Sequence, residues 1–494
     1  MISLTRLCAL LYAGSLVSAA VIRQEAVASP AEMGAPYSAG DADIAGATTA
    51  SGEIAEAAKT VDQKSGPGVD ETPDHEVPET VVTVVDGEVV AKRDLSSSLS
   101  RLVGASLSRR APSDYTQIFA GTGTGPEDRD GSIEGTAYLT YTLINNATYN
   151  IEACLDYCSS VSGCVFANLY YEFNNYGLDF EASEKSNLKC AVYGDVHTAA
   201  EKTNRGAQQS YPAPAPLIYI QHSGGWASKS IEDPNPPEGY ELVFGPTGGA
   251  NNAPGYMGFV FLDKYDVDAC ARECNQRGPD RGGSCQYFNI WRAVVNGVPT
   301  TYTCAMYFIP TDESTAVNYG QGDLKVTLSR GYRRKNYIVD GGFEGYPCSS
   351  SFCFGEVYYA WYGTSPGGGY LDATIFHHAP YARTGSGVGL LGSAGNVDRL
   401  PGTLAPTEPL KTTAGKSYRI EFFQWSGYST PENQAPTSFD VLWNGNVVLE
   451  VRPGFAPWTR YHVDVTAAGN DQLAFRGGSA PAWAFIDDVS VYSM

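Results

Sequence analysis

Three stretches of this 494-residue chain have spacings that elsewhere carry chemistry. Gly363-Thr364-Ser365-Pro366-Gly367 fits the G-x-S-x-G of a nucleophile elbow, but Pro366 and the glycines after it oppose the helix that such a turn must open. Gly387 to Gly392 fits G-x-G-x-x-G without the strand-helix context that would cradle a phosphate. His377 and His378 point to opposite faces of an extended segment and make a poor metal pair, while His462 shares a polar, solvated face with Arg460 and Asp464. These read as strand ends and loops. No catalytic residue is assigned, and the expectation is a protein that is not an enzyme. Sequence alone places no two carboxylates in a shared cleft, so a glycoside hydrolase is the least favoured reading.

The cysteines carry a firmer signal. Tyr149-Asn150-Ile151-Glu152-Ala153-Cys154-x3-Cys158 returns as Tyr265-Asp266-Val267-Asp268-Ala269-Cys270-x3-Cys274. Each copy then resumes in step, with Cys164-x3-Asn168 against Cys285-x3-Asn289 and Cys190-Ala191-Val192-Tyr193 against Cys304-Ala305-Met306-Tyr307. The chain therefore contains an internal duplication with four cysteines per copy. Zinc is the weaker use for them, because no Cys-x2-Cys pair exists and no histidine stands nearby at ligand spacing.

Asn150 and Asp266 suit helix N-caps, with Glu152 and Asp268 in first turns where the helix dipole favours an acid. Cys154 and Cys158, four apart, then share one helical face, as do Cys270 and Cys274. The segments around Cys164 and Cys190 are short, apolar and aromatic, which predicts a sheet beneath the helix. Four cysteines allow three pairings, and spacing does not choose among them.

These quartets resemble the PAN/Apple module, a five-stranded antiparallel sheet crossed by one helix. The resemblance implies bridges Cys154–Cys190, Cys158–Cys164, Cys270–Cys304 and Cys274–Cys285. From Gly239-Tyr240-Glu241-Leu242-Val243-Phe244 through Phe288-Asn289-Ile290-Trp291-Arg292 the wording is also similar to the fungal fruit-body-specific proteins, over roughly residues 115 to 335. That likeness implies no chemistry.

The chain opens with Arg6, an apolar run from Leu7 to Val17 and the small residues Ser18-Ala19-Ala20, the pattern of a signal peptide over 1–20. The run is too short for a membrane span, so no transmembrane segment is expected. Cys8 falls within it, and ten of the 11 cysteines remain, an even number suited to extracellular disulfides. Residues 21–110 are rich in Ala, Ser, Gly, Pro and acids, with Tyr37 the only aromatic, and are expected to be a disordered acidic propeptide. Arg109-Arg110 at its end resembles a convertase processing site; the alternative is an uncleaved arm. Asn146-Ala147-Thr148 is a glycosylation sequon. Beyond residue 110 there are 39 acids against 24 bases, a net of −15, which argues against nucleic acid or anionic membrane as partner.

The first module is expected over 111–229, a proline-containing linker over 230–239, the second module over 240–335 and a third domain over 336–494. In the last, Tyr418 to Trp425, Tyr461 to Val465 and Ala484 to Tyr492 alternate, and Asn444-Gly445 between two such runs is a strong hairpin signal. An all-β sandwich follows, with Cys348 and Cys353 close enough to bridge. Its ends, Asp340-Gly341-Gly342-Phe343-Glu344 and Phe485-Ile486-Asp487-Asp488-Val489, look like the terminal strands of galactose-binding-like jelly rolls, which include many carbohydrate-binding modules. That resemblance implies a structural calcium at Glu344 and Asp487, with Asp488 as substitute; the alternative is a hydrogen-bonded buried aspartate, and no other cofactor is required. It also implies aromatic platforms for sugar rings. Five of the seven tryptophans lie in this domain, and Trp361 and Trp458, beside Gly or Pro, are the candidates for sugar stacking.

The expected fold class is thus α+β for the tandem modules, followed by an all-β jelly-roll sandwich. The expected function is a secreted, extracellular or cell-wall-associated protein that binds polysaccharide or glycoprotein without catalysis. An extracellular protein-interaction or structural matrix protein is the alternative.

Overall fold

The computed structural model describes residues 64, 66–67, 82–85, 88–91, 112–145, 148–175, 186–208, 216–229, 233–279, 282–392, 400–427, 430–478 and 482–494. The architecture is mostly β, in several sheets with few helices. Asn146, Arg109, Arg110 and the expected signal peptide lie outside the described residues.

Within the N-terminal stretch the described residues include one short hairpin. Strands β1 (Val82–Val85) and β2 (Glu88–Ala91) pair as an antiparallel hairpin. Val-rich runs on either side of Asp86-Gly87 are a local hairpin signal that the average composition of 21–110 conceals. Pro67 is also buried, and a Cβ on Gly66 would stand 2.8 Å from the Ile133 carbonyl oxygen, so this stretch touches the first repeat.

The duplication is complete at the level of topology. In the first copy β3 (Tyr115–Phe119), β4 (Tyr138–Ile144), β5 (Phe166–Phe173), β6 (Ser186–Tyr193) and β7 (Tyr219–Ser228) form an antiparallel sheet in the order β3-β7-β5-β6-β4. In the second, β8 (Tyr240–Thr247), β9 (Tyr256–Leu262), β10 (Tyr287–Val295), β11 (Val298–Tyr307) and β12 (Leu324–Arg334) take the equivalent order β8-β12-β10-β11-β9. One helix lies against each sheet, α1 (Ile151–Ser160) and α2 (Val267–Gln276). Each starts where a side chain accepts the third backbone N–H: Asn150 from Ala153 at 3.1 Å, Asp266 from Ala269 at 2.8 Å. Bridges join the first cysteine to the fourth and the second to the third in both copies. They turn one face of each helix onto the middle of its sheet.

Beneath the bridges each copy buries one asparagine in the same way. Asn168 accepts from the Ile133 N–H at 3.0 Å and donates to Ser223 Oγ and the Gly224 carbonyl; Asn289 accepts from the Asn251 N–H at 2.9 Å and donates to Ser329 Oγ and the Arg330 carbonyl. A buried amide with its partners supplied is stable, and losing them costs about 1–3 kcal/mol. These contacts also equate Gly224 with Arg330 and His222 with Leu328.

The third region packs two sheets face to face. β13 (Cys353–Gly355), β14 (Trp361–Gly363), β15 (Ala373–His377), β16 (Gly387–Leu391), β17 (Thr403–Pro406), β18 (Ser417–Trp425), β19 (Phe439–Trp443), β20 (Asn446–Val451), β21 (Thr459–Thr466), β22 (Leu473–Gly477) and β23 (Ala484–Ser493) divide into a six-stranded sheet, β13-β15-β16-β23-β18-β21, and a five-stranded one, β14-β17-β22-β19-β20. Ile375, Leu391, Ile420, Phe422, Phe475 and Ile486 fill the space between them. A fifth bridge, Cys348–Cys353, closes the loop before β13.

The regions are joined by buried polar contacts. Asp195 of the first copy accepts from Arg292 Nη1 and from the Tyr302 hydroxyl of the second, each at 2.5 Å. Glu421 of the sandwich accepts from the Ser284 N–H and hydroxyl, Arg460 Nη2 and the Tyr492 hydroxyl. Burial would raise the Glu421 carboxyl, but Arg460 and Ser284 outweigh it and hold it below the usual range. Arg460 is therefore buried at a joint, not solvated beside His462 as alternation predicted.

Candidate functional site

Period-two alternation gives the six-stranded sheet a second, outward face. Phe354 pairs with Phe376, Phe376 with Val388, Leu390 with Phe485 and Phe485 with Trp425, so their side chains share the face opposite the core. The result is a continuous band of rings. Phe354 stacks on Phe376 at 5.4 Å, Tyr381 lies 5.0 Å from Phe485, and Trp425 stacks on Phe485 at 5.4 Å and on Trp458 at 5.8 Å. Phe352 meets Phe354 and Phe376 and carries His378 edge-on at 5.0 Å. Phe352 is 47% exposed and Phe354 44%, Trp458 is partly exposed, and Phe455 beside it is 44% exposed. Phe376 and Phe485 between them are buried, so the band meets water at its two ends, where clustered exposed rings mark a candidate binding surface.

Two devices hold the band. The Cys348–Cys353 bridge anchors Phe352 and Phe354 on either side of Cys353. The loop after His378, which carries Tyr381, is held by three acids. Glu344 Oε1 accepts from the Ser386 and Gly387 N–H groups at 2.8 Å, and Asp487 Oδ2 from those of Arg383 at 2.7 Å and Thr384 at 3.3 Å. Asp488 receives the Arg383 guanidinium at 2.5 Å and the Thr384 hydroxyl at 2.7 Å. Arg383 also lies flat on Phe423. Asp487 is fully buried, and burial first, then the neighbouring Asp488, pushes its carboxyl well above the usual range.

These are the residues to which the jelly-roll resemblance assigns calcium. Their oxygens are engaged by N–H and O–H donors and by a guanidinium, and among the described residues no three acids, cysteines or histidines converge as a metal cluster. The positive charge beside these acids is the Arg383 guanidinium.

The two tryptophans separate. Trp361 faces the core, fully buried against Phe343 at 4.8 Å with Nε1 donating to the Asp340 carbonyl at 2.9 Å, so it presents no face to a sugar. Gly363, two residues on, suggested a loop, but position in β14 decided its direction. Trp458 belongs to the band. Phe352, Phe354, Tyr381 and Trp425 were missed; Phe-x-Phe around Cys353, and Trp425 and Phe485 on the non-core parity of their strands, were the available signals. Ser365 of the G-x-S-x-G stretch donates to Glu356 and accepts from the Asp372 N–H, with no histidine among those partners.

No family model and no curated protein matches this chain. Among solved structures it is similar to TmCBM61 in complex with beta-1,4-galactotriose, 17% identical over 32% of this chain and 99% of that one, TM-score 0.22. It is also similar to the bacteriophage CBA120 tailspike protein 4, 11% identical over 32% of this chain and 21% of that one, TM-score 0.19, and to the ANX2 ectodomain from Arabidopsis thaliana, 9% identical over 76% and 88%, TM-score 0.19. Likeness this partial decides nothing about ligand.

Proposed function

We propose that this chain is a secreted protein that binds extracellular or cell-wall glycan without cleaving it, through the aromatic band of its C-terminal sandwich. The observation that carries the reading is the ring-on-ring array from Phe352 to Trp458 with its exposed ends. Pyranose rings offer apolar C–H faces that stack on such surfaces. The net charge of −15 beyond residue 110 disfavours acidic glycans, which leaves a neutral polysaccharide. Five disulfides support an oxidising compartment. The helix-on-sheet repeats and their bridges support the PAN/Apple reading of the first two regions, the wording of residues 115 to 335 alone the fruit-body-protein reading, and the paired sheets a galactose-binding-like jelly roll. No cofactor is required in this reading, and a chelator leaves binding and unfolding temperature unchanged.

Affinity electrophoresis of the full chain through glucan, chitin, mannan and xylan tests it. Retardation by at least one polymer is expected, weakly dependent on salt, and reduced about tenfold by Trp458→Ala, roughly 1.4 kcal/mol of stacking. Passage through all four without retardation overturns the reading.

A further inference from the structure

The two repeats diverge at one place on their helix side. In the first, the rings of Tyr149, Tyr171 and Trp226 wall an open groove of about 350 Å³, completed by Ile151, Gln117 and His222. Tyr149 lies 5.7 Å from Tyr171 and 6.3 Å from Trp226, and Tyr171 meets His222 edge-on at 6.2 Å. Tyr149 is fixed by donating to the Leu169 carbonyl at 2.7 Å and accepting from the Gly224 N–H at 3.1 Å. Gln117 and His222 are exposed at the rim.

The same place in the second repeat is filled. Arg330 stands where the first repeat has Gly224, lays its guanidinium 5.5 Å from the Tyr265 ring centre, donates to the Tyr265 hydroxyl at 3.1 Å and pairs with Asp233. Arg292, in place of Tyr171, turns to Asp195 of the first repeat. Leu242 and Leu328 replace Gln117 and His222. His222 and Leu328 share a positive φ of 53° and 52°, so that conformation belongs to the frame and not to the groove.

We propose that the groove of the first repeat binds a single neutral sugar ring, as a second glycan site separate from the sandwich. Its volume is at the low end of the roughly 300–1,000 Å³ usual for small-molecule sites. The aromatic walls take the apolar face of a pyranose, and the Gln117 amide and His222 imidazole at the rim reach its hydroxyls. No acid, lysine or arginine lines the groove, so the ring is uncharged. An apolar peptide side chain would instead leave those rim groups desolvated and unpaired, which costs about 1–3 kcal/mol each.

The test uses the full chain carrying Trp458→Ala, which weakens the sandwich site about tenfold, titrated with the methyl glycosides of glucose, galactose, mannose and N-acetylglucosamine and followed by saturation-transfer NMR. Saturable binding of at least one glycoside is expected. Gln117→Leu with Tyr171→Arg, side chains that the second repeat carries in the same frame, weakens it at least about tenfold, while Tyr171→Phe retains it. Circular dichroism checks that the variants fold. Absence of saturable binding, or binding indifferent to the double substitution, overturns the proposal, as does a groove that takes a proline- or aromatic-containing peptide which no glycoside displaces. Polysaccharide retention by the sandwich is scored separately, so either site can fail without the other.

Discussion

The first and second repeats have the same strand order, helix, bridges and buried asparagine, yet use their helix-side faces differently. The second turns Arg292 and Tyr302 toward Asp195 and plugs its tyrosine-lined hollow with Arg330; the first leaves Tyr149, Tyr171 and Trp226 around an open groove. A duplicated frame thus separates what folds the unit from what the unit contacts. Residues inside the frame are shared in type, whereas those on the face differ, as at Gly224 against Arg330.

The largest expected effect is on the shared frame. Replacing Cys154 and Cys190 by alanine, or Cys270 and Cys304, should cost about 2–5 kcal/mol in the repeat concerned. Separations of 36 and 34 residues constrain the unfolded chain almost equally, so hydrogen exchange should report similar losses in the two sheets. A loss confined to one copy would break the equivalence.

Next is the joint. Arg292→Ala leaves the buried Asp195 carboxylate without its guanidinium and should cost about 3 kcal/mol. Tyr171→Ala, at the equivalent place on the open face, should cost less than half as much. Scanning calorimetry of both variants orders them, and equal losses would deny that the two faces differ in role.

Much of this frame was legible because it is local or periodic. The caps at Asn150 and Asp266, the helical i, i+4 cysteines and the Asn444-Gly445 hairpin between β19 and β20 need only short-range rules. What was not legible depends on neighbours distant in sequence. Trp361 and Trp458 have similar local surroundings, but one is on a strand turned to the core and the other is stacked beside Trp425. Arg460 sits on an alternating strand whose polar face happens to meet Ser284 of another region. The groove was hidden for a third reason: its walls are separated by up to about a hundred residues along the chain, and its contrast with the second repeat is spread over Gln117, Tyr171, His222 and Gly224, which are Leu242, Arg292, Leu328 and Arg330 there.

Arg330→Gly is the corresponding opening of the second repeat and should cost only about 1 kcal/mol, because it removes a cation–π contact and a pair whose acid, Asp233, is mostly exposed. Burial raises the Tyr265 hydroxyl to about 12 while Arg330 opposes the rise, so removing Arg330 should push it higher, measured by ultraviolet titration. A lower value would mean that the hollow fills with water.

The smallest effect separates the repeats by pH. Asp130 of the first repeat accepts from the Thr122 N–H at 2.7 Å, Ser223 at 2.9 Å, Gly131 at 2.8 Å and the Lys202 ammonium at 2.5 Å, and so ties the two segments that carry Gly121 and His222. Burial would raise its carboxyl, but Lys202 and the three N–H groups prevail and hold it below the ordinary aspartate range. A depressed folded value means that the stabilisation is complete above the unfolded pKa, near 4, and is lost as the pH falls through the folded value. The second repeat has Gly248 at this place and no such loss. Below about pH 4, amide exchange at Thr122 and Ser223 should therefore accelerate relative to that of the equivalent segment around Ser329, and Asp130→Asn should abolish the pH dependence of that difference. Acceleration of both segments together, or in the variant as well, would place the acid sensitivity in the shared frame instead of in Asp130.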